Sequence, residues 1–214
     1  MKILLETESV LFAEKPAGML SEVSGDGQDI VSLLSNELSC PVYPVHRLDR
    51  AVGGVMAFAK TKEAAARLSL PCALDKEYIA VVHGETPPDG EWRDLLFKDS
   101  RANKSYVVKR MRRGVREAVL RFRTLGTSEG FSLVSVTLLT GRSHQIRVQF
   151  SSRRHPLVGD GKYGASDGCA IALYSRKLTS LQDGVKLEAS SLPDISSYPW
   201  NLFDLEKIFS EPEE

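Results

Sequence analysis

Short apolar runs, closed off by turns, constrain this chain of 214 residues more than any other feature. The longest, such as Val55-Met56-Ala57-Phe58-Ala59, have the length of one core strand. They fall far short of the roughly 20 apolar residues that a membrane-spanning helix needs. Ile3–Leu5 and Val10–Ala13 read as strands that end at the Lys15-Pro16-Ala17-Gly18 turn, and Val55–Ala59 as a buried one. Glu77–His83, Phe131–Leu139 and Ala170–Tyr174 add three more. Helical spacing is confined to Ile30, Leu33, Leu34 and Leu38, with Asp29 as a cap, and to an Ala-rich stretch through Leu68 capped by Thr61. Ser105–Lys109 and Ala118–Leu125 flank Arg110–Gly114, which predicts a hairpin with a basic tip. Many strands and few helices predict an α+β fold with a mostly antiparallel sheet.

With 42% hydrophobic and 26% charged residues the composition is that of a globular chain, which excludes a disordered, collagen-like or disulfide-scaffold protein. No Pro/Gly/Ser-rich linker divides it, so one domain over 1–214 is expected, with an acidic tail at about 204–214. Acidic residues follow Met1 too soon for a secretory signal, and three scattered cysteines (Cys40, Cys72, Cys169) suit free thiols in a reducing compartment. A soluble, cytoplasmic monomer is the expectation.

Zero net charge hides a lopsided distribution. Residues 98–123 carry a net +8 and residues 142–162 a net +4, whereas 204–214 carry −4. The two basic segments would suit a polyanion, or they are merely solvated faces. In the strand over Ala118–Leu125, Arg121 and Arg123 fall on one face and Leu120 and Phe122 on the other, so the arginines point outward.

Several familiar signatures fail on inspection. Gly159-Asp160-Gly161-Lys162-Tyr163-Gly164 spells G-x-G-x-x-G without the preceding buried strand and following helix that a dinucleotide site needs. Neither a phosphate-binding loop, nor C-x-x-C or H-x-x-x-H metal spacing, nor a nucleophile elbow around Ser143 is present. Two polar clusters beside apolar strands remain. Val45-His46-Arg47-Leu48-Asp49-Arg50 leads into Gly53-Gly54, and if extended it puts Arg47 and Asp49 on one face. An arginine–aspartate surface pair would explain it equally well. Thr140-Gly141-Arg142-Ser143-His144-Gln145-Ile146-Arg147-Val148-Gln149 follows another strand; extended, it would align Gln145, Arg147 and Gln149. Asp49 is the obvious carboxylate for an arginine of this cluster, and a hydrogen-bonded hairpin is the plain alternative.

In this order the pieces resemble the RluA family of RNA pseudouridine synthases over nearly the whole chain. Leu11-Phe12-Ala13-Glu14-Lys15-Pro16-Ala17-Gly18-Met19 is similar to its K-P-a-G opening, and His46-Arg47-Leu48-Asp49 to its H-R-L-D signature. Lys76-Glu77-Tyr78-Ile79-Ala80-Val81-Val82-His83-Gly84 follows K-x-Y-x-A-x-V-x-G. Thr140–Arg147 follows T-G-R-[TS]-H-Q-[IL]-R, and Gly159-Asp160 with Tyr163-Gly164 follows G-D-x-x-Y-G. Two departures stand out: Val52-Gly53-Gly54 replaces the usual T-S-G, and Leu173-Tyr174-Ser175 replaces L-H-A. The resemblance is to the catalytic domain only, without the S4-like RNA-binding domain that many members carry in front.

The resemblance implies the pseudouridine synthase fold, a mixed and mostly antiparallel sheet flanked by helices with a central active-site cleft. It implies that Asp49 is the essential carboxylate when the C1′–N1 bond of a uridine is exchanged for C1′–C5. Attack at C1′, addition to the base and removal of a ribose proton all suit a carboxylate there. Tyr78 would stack on the uracil, Arg147 would pair with Asp49, and Leu173 would pack beneath the site. Arg47 would enter the nucleic-acid stack, with His46, Lys76, Arg142, His144 and Gln145 around the substrate and Arg121 and Arg123 on the outer basic face. The partner would be ribosomal or transfer RNA, with no cofactor, no metal and no membrane. A non-catalytic RNA-binding or RNA-chaperone module on the same fold is the alternative, motivated by Val52-Gly53. A glycosidic hydrolase with Asp49 as nucleophile is a third reading, for which Asp75 and Glu77 are unmarked as general acids.

Overall fold

The computed structural model describes residues 2–25, 27–182 and 184–210, which form two compact units. One comprises the described residues among 1–77 and 174–193, the other those among 78–173 and 194–214. In chain order the strands and helices are β1 (Lys2–Glu6), β2 (Val10–Lys15), α1 (Ile30–Leu38), β3 (Tyr43–Pro44), β4 (Gly53–Ala59) and α2 (Lys62–Leu68). There follow β5 (Asp75–His83), β6 (Asp89–Asp99), β7 (Lys104–Val108), β8 (Val115–Ser128), β9 (Phe131–Leu138) and α3 (Gln145–Ser152). The chain ends with β10 (Leu173–Gln182), β11 (Val185–Ser190) and α4 (Leu205–Ser210). This is the α+β architecture expected, with strands outnumbering helices. The expected acidic tail extends to residues 211–214, which lie outside the described residues.

In the first unit the strand order is β1-β2-β4-β10, with β11 beside β10 and β3 beside β4. All pairs are antiparallel except β4 with β10, which makes the sheet mixed. All seven residues of β4 are buried, so its apolar run is continuous rather than alternating. Val10, Phe12, Val55 and Ala57 pack with Ala64 and Leu68 of α2. The parallel contact demands glycine. Gly54 has φ +120°, and a Cβ there would lie 2.2 Å from the Ser175 carbonyl oxygen.

Both helix starts in this unit are set by side-chain caps. Thr61 Oγ1 accepts from the Ala64 N–H at 3.1 Å. Asp29 is fully buried and accepts from the N–H and hydroxyl of Ser32 and of Ser24 at 2.7–3.0 Å. Loss of solvent pushes its pKa up, but those four hydrogen bonds prevail and hold it below the usual carboxylate value.

In the second unit the order is β5-β9-β8-β6-β7. Here the expected hairpin gives way to a crossover. β7 and β8 are each antiparallel to β6, which lies between them, so they run parallel to one another. Residues 109–114 carry the chain across the face of β6, where the Arg112 guanidinium lies 5.1 Å from the centroid of the Phe97 ring. β6 escapes sequence reading because it begins in the turn-like Thr86-Pro87-Pro88-Asp89-Gly90 stretch and carries charges on both faces, such as Arg93 and Asp94. Arg121 and Arg123 point outward and Leu120 and Phe122 inward, as expected.

A second correction concerns Gln145–Gln149, which is helical rather than extended. Gln145 and Gln149, one turn apart, both donate toward the sheet, to the Val119 carbonyl and the Asp94 carboxylate respectively. Side-chain hydrogen bonds thus tie both amide nitrogens to the sheet, while Gln149 Oε1 is buried without a partner. The last strand, expected over Ala170–Tyr174, instead runs over Leu173–Gln182 and turns back into β11, because it pairs with β11 through Gln182. Gly159–Gly164 is a turn, as the absence of a flanking strand and helix implied.

The Asp29 cap generates a prediction. A carboxylate whose folded pKa is depressed stabilises the fold above its unfolded value and ceases to do so as pH falls through the folded one. Asp29→Ala should lower the unfolding free energy by about 1–2 kcal/mol at neutral pH. In urea titrations that deficit should shrink as the pH drops below the ordinary carboxylate value of about 4.

Candidate active site

The candidate residues divide between the units. In the first, Asp49 sits in a turn closed by the Val52 N–H donating to the Asp49 carbonyl at 2.9 Å. The segment is clamped on both sides to residues 16–21. Ser21 Oγ donates to the Leu48 carbonyl and accepts from the Leu48 N–H. The Gly18 N–H donates to the Arg50 carbonyl, and Arg50 Nε returns a bond to the Gly18 carbonyl. Between these clamps lies Lys15, 0% exposed. Its ammonium donates to the carbonyls of Pro16 (2.9 Å), Met19 (2.8 Å) and Arg50 (3.3 Å). Loss of solvent lowers the Lys15 pKa to about 8, against the opposing pull of the Asp49 charge. The charge of Asp49 thus acts on a buried cation of its own unit.

The other candidates of this unit differ in exposure. Arg47 is exposed and donates to both carboxylate oxygens of Glu22 at 2.9 Å. His46 Nε2 accepts from the Ala57 N–H at 3.0 Å, which ties the H-R-L-D segment to β4. Its pKa falls to about 3, first through loss of solvent and then through the Lys76 charge, so it stays neutral. Lys76 is half-buried, and that burial lowers its own pKa.

In the second unit Tyr78 and Leu173 are both buried. Arg147 is buried in α3, and its Nε and Nη2 donate to the two oxygens of Asp160, both at 2.7 Å. Its guanidinium also lies 5.2 Å from the centroid of Tyr163. The Tyr163 hydroxyl accepts from the Ser105 N–H at 2.8 Å and sits 2.9 Å from His144 Nδ1. Loss of solvent raises its pKa, so it remains a neutral phenol. Gln145 closes the T-G-R turn: its Oε1 accepts from Thr140 Oγ1 and from the Arg142 N–H. Arg142 Nε donates to the Glu117 carbonyl. On the outer face Arg121 is ion-paired with Glu91 at 2.9 Å, and Arg123 is exposed.

Three residues with evident roles lay within quoted motifs but received no function from sequence: Lys15, Asp160 and Tyr163. Their signal was a charged or phenolic side chain at a motif position next to an apolar run. The departures from the family pattern have a packing explanation. A Cβ on Gly53 would stand 3.3 Å from Tyr174 Cε2, and equally close to the Lys15 carbonyl and the Ala17 nitrogen. Glycine at 53 is thus crowded both by the Tyr174 ring and by the backbone of residues 15–17. Glu77, a candidate second carboxylate for hydrolysis, is ion-paired with Arg176 at 3.1 Å. Among the described residues no three His, Cys, Asp or Glu side chains converge as metal ligands. Cys40, Cys72 and Cys169 are free thiols, and no described helix is long and apolar enough to cross a membrane.

Comparison with known proteins gives the same picture. The family model described as RNA pseudouridylate synthase matches residues 9–152. An uncharacterized RNA pseudouridine synthase of Bacillus subtilis is 34% identical over 178 residues, covering 77% of this chain and 58% of that protein. The chain thus spans little more than half the length of that relative. The tRNA pseudouridine synthase C of Haemophilus ducreyi is 30% identical, covering 77% of this chain and 74% of the relative. Among solved structures, human RNA pseudouridylate synthase domain containing 1 superposes with a TM-score of 0.76 at 22% identity, over 91% of this chain and 83% of that one. This last likeness establishes the fold.

The pair formed by Arg147 and Asp160 can be tested directly. Asp160→Ala should cost about 3–5 kcal/mol in urea unfolding, because a buried guanidinium loses the carboxylate gripping its Nε and Nη2. Asp160→Asn, which keeps the shape and one oxygen, should fall between the two. A loss below about 1 kcal/mol for Asp160→Ala, the scale of an exposed pair, would show that this contact does not hold α3 in place.

Proposed function

The chain belongs to the RNA pseudouridylate synthase family, and on that premise we propose that it converts uridine to pseudouridine within RNA. One observation carries the reading: the matched segment, residues 9–152, spans Asp49, Tyr78 and Arg147 together with the H-R-L-D, K-x-Y and T-G-R-S-H-Q-I-R stretches in which they stand. The clamped turn around Asp49, tied by the buried Lys15 ammonium through the Arg50 carbonyl, supports the assignment of Asp49 as the catalytic carboxylate.

The reaction breaks the C1′–N1 bond, forms C1′–C5, gives N1 a proton and releases the hydrogen of C5. It is an isomerisation with no net oxidation or reduction. Asp49 acts on the uridine at the step that frees the base. Tyr78 lies against the uracil face, and Arg147 supplies a positive charge that does not titrate. Lys15 positions the Asp49 turn through its three carbonyl bonds. The target nucleotide must leave its stack, at a cost of a few kcal/mol. Phosphate contacts from exposed basic residues such as Arg47 and Arg123 offset that cost. The Haemophilus relative, named for transfer RNA, makes transfer RNA the first substrate to try and ribosomal RNA the second.

The test is release of tritium from RNA carrying 5-tritiated uridine, with unmodified transfer RNA and ribosomal RNA in separate reactions. Wild-type protein should release tritium from one pool. Asp49→Ala should lower the rate by about 10²–10⁴-fold or more, the range for loss of a group acting on the reacting bonds. Binding without release in either pool would overturn the proposal in favour of a non-catalytic RNA-binding module, and free uracil would point to hydrolysis.

A further inference from the structure

The solvent face of the sheet in the second unit has two unlike halves. Where β6 meets β8 at one end, charges are internally balanced: Arg121 pairs with Glu91 at 2.9 Å and Arg93 with Glu117 at 3.0 Å. Toward β7 that balance disappears. Residues 104–116 contain six lysines and arginines and no acid, and among the described residues no carboxylate pairs with Lys104, Arg110 or Arg112. Apolar side chains are exposed in the same place. Tyr106 is 43% and Met111 62% exposed, and Met111 stands between two arginines. Tyr106 lies directly across the ladder from Phe97, so both rings share the solvent face. Lys104 Nζ lies 5.8 Å from the Tyr106 centroid, and Arg112 covers Phe97.

A purely solvated basic loop has no use for an exposed tyrosine and methionine, and such crowding of like charge repels itself unless an anion neutralises it. Rings interleaved with cations are what an unpaired stretch of nucleic acid requires, because every base offers a face to stack and every phosphate a charge. We propose that Tyr106 and Met111, ringed by Lys104, Arg110 and Arg112, form a docking platform for unpaired nucleotides of the RNA substrate. The inference rests on the reading of the protein as an RNA enzyme and adds to it the kind of RNA it grips: a single-stranded segment next to the target. A base stacked on Tyr106 brings its phosphate within reach of Lys104. Duplex RNA, whose bases are already stacked on one another, would gain only the charge contacts.

Fluorescence-anisotropy titrations across a range of salt test this with a labelled oligouridylate, an RNA duplex of equal length and polyglutamate as an acidic-protein mimic. Wild-type protein should bind the oligouridylate more tightly than the duplex or the peptide. Tyr106→Ala should weaken that binding by roughly tenfold at unchanged salt slope, in line with the loss of one stacked base. Tyr106→Phe should restore it, and Arg110→Ala should flatten the slope by roughly 0.7 for one lost phosphate contact. Equal affinity for duplex or polyglutamate, or no change in Tyr106→Ala, would overturn the platform. So would a self-association that Tyr106→Ala abolishes while RNA affinity stays the same. Tritium release measured on the same samples separates the two readings. Wild-type release with an unaffected Tyr106→Ala removes the platform alone, whereas the binding pattern without any release removes the isomerase and leaves the platform.

Discussion

The buried ion pair between Arg147 and Asp160 is the contact on which the placement of α3 in the second unit depends. Two hydrogen bonds of 2.7 Å join α3 to the loop that spells G-D-x-x-Y-G. Desolvating two charges is expensive, and a well-packed apolar pair would serve stability as well. What the ion pair supplies is direction, because the guanidinium fork accepts a carboxylate in one orientation. Tyr163 reinforces it from the same loop: its ring lies against the guanidinium, its hydroxyl takes the Ser105 N–H, and its carbonyl accepts from Ser151 Oγ. The motif that looked like a nucleotide loop is therefore the backing of a helix.

The first unit solves a similar problem with carbonyl groups. Lys15 is a cation without solvent, held by three backbone oxygens, two from the loop at 16–19 and one from the turn that carries Asp49. Removing it would take one donor from each of those carbonyls, although that of Arg50 keeps the Gly18 N–H, and loosen the turn in which Asp49 sits. The glycines at 53 and 54 serve the same end from the sheet side. Gly54 lets β10 approach the backbone of β4 closely, and Gly53 makes room for the ring of Tyr174.

Some of this is legible in one dimension because the forces involved are local. Asp29 and Thr61 were recognisable as caps, and α1 and α2 begin where those caps place them. A cap binds backbone groups two or three residues away, so its partners are present in the sequence window. The buried strand β4, the free thiols and the outward set of Arg121 and Arg123 are legible for the same reason. The motif residues Asp49, Tyr78 and Arg147 could be named, but the partner that holds Arg147 in its unit could not, since Asp160 lies thirteen residues away.

The sequence by itself determined the class of fold, the family, and which polar residues stand beside apolar strands, because these follow from periodicity and from short motifs. Tertiary structure alone decided that β6 separates β7 from β8 and turns an apparent hairpin into a crossover. It also decided that Gln145–Gln149 coils as a helix whose glutamines hydrogen-bond to the sheet. Strand neighbours and buried polar partners are chosen by residues distant in the chain, each satisfying groups the other would otherwise leave without hydrogen bonds. No local window contains that choice, and for that reason the exposed ring of Tyr106 beside a basic crossover could be seen only once the strands were in place.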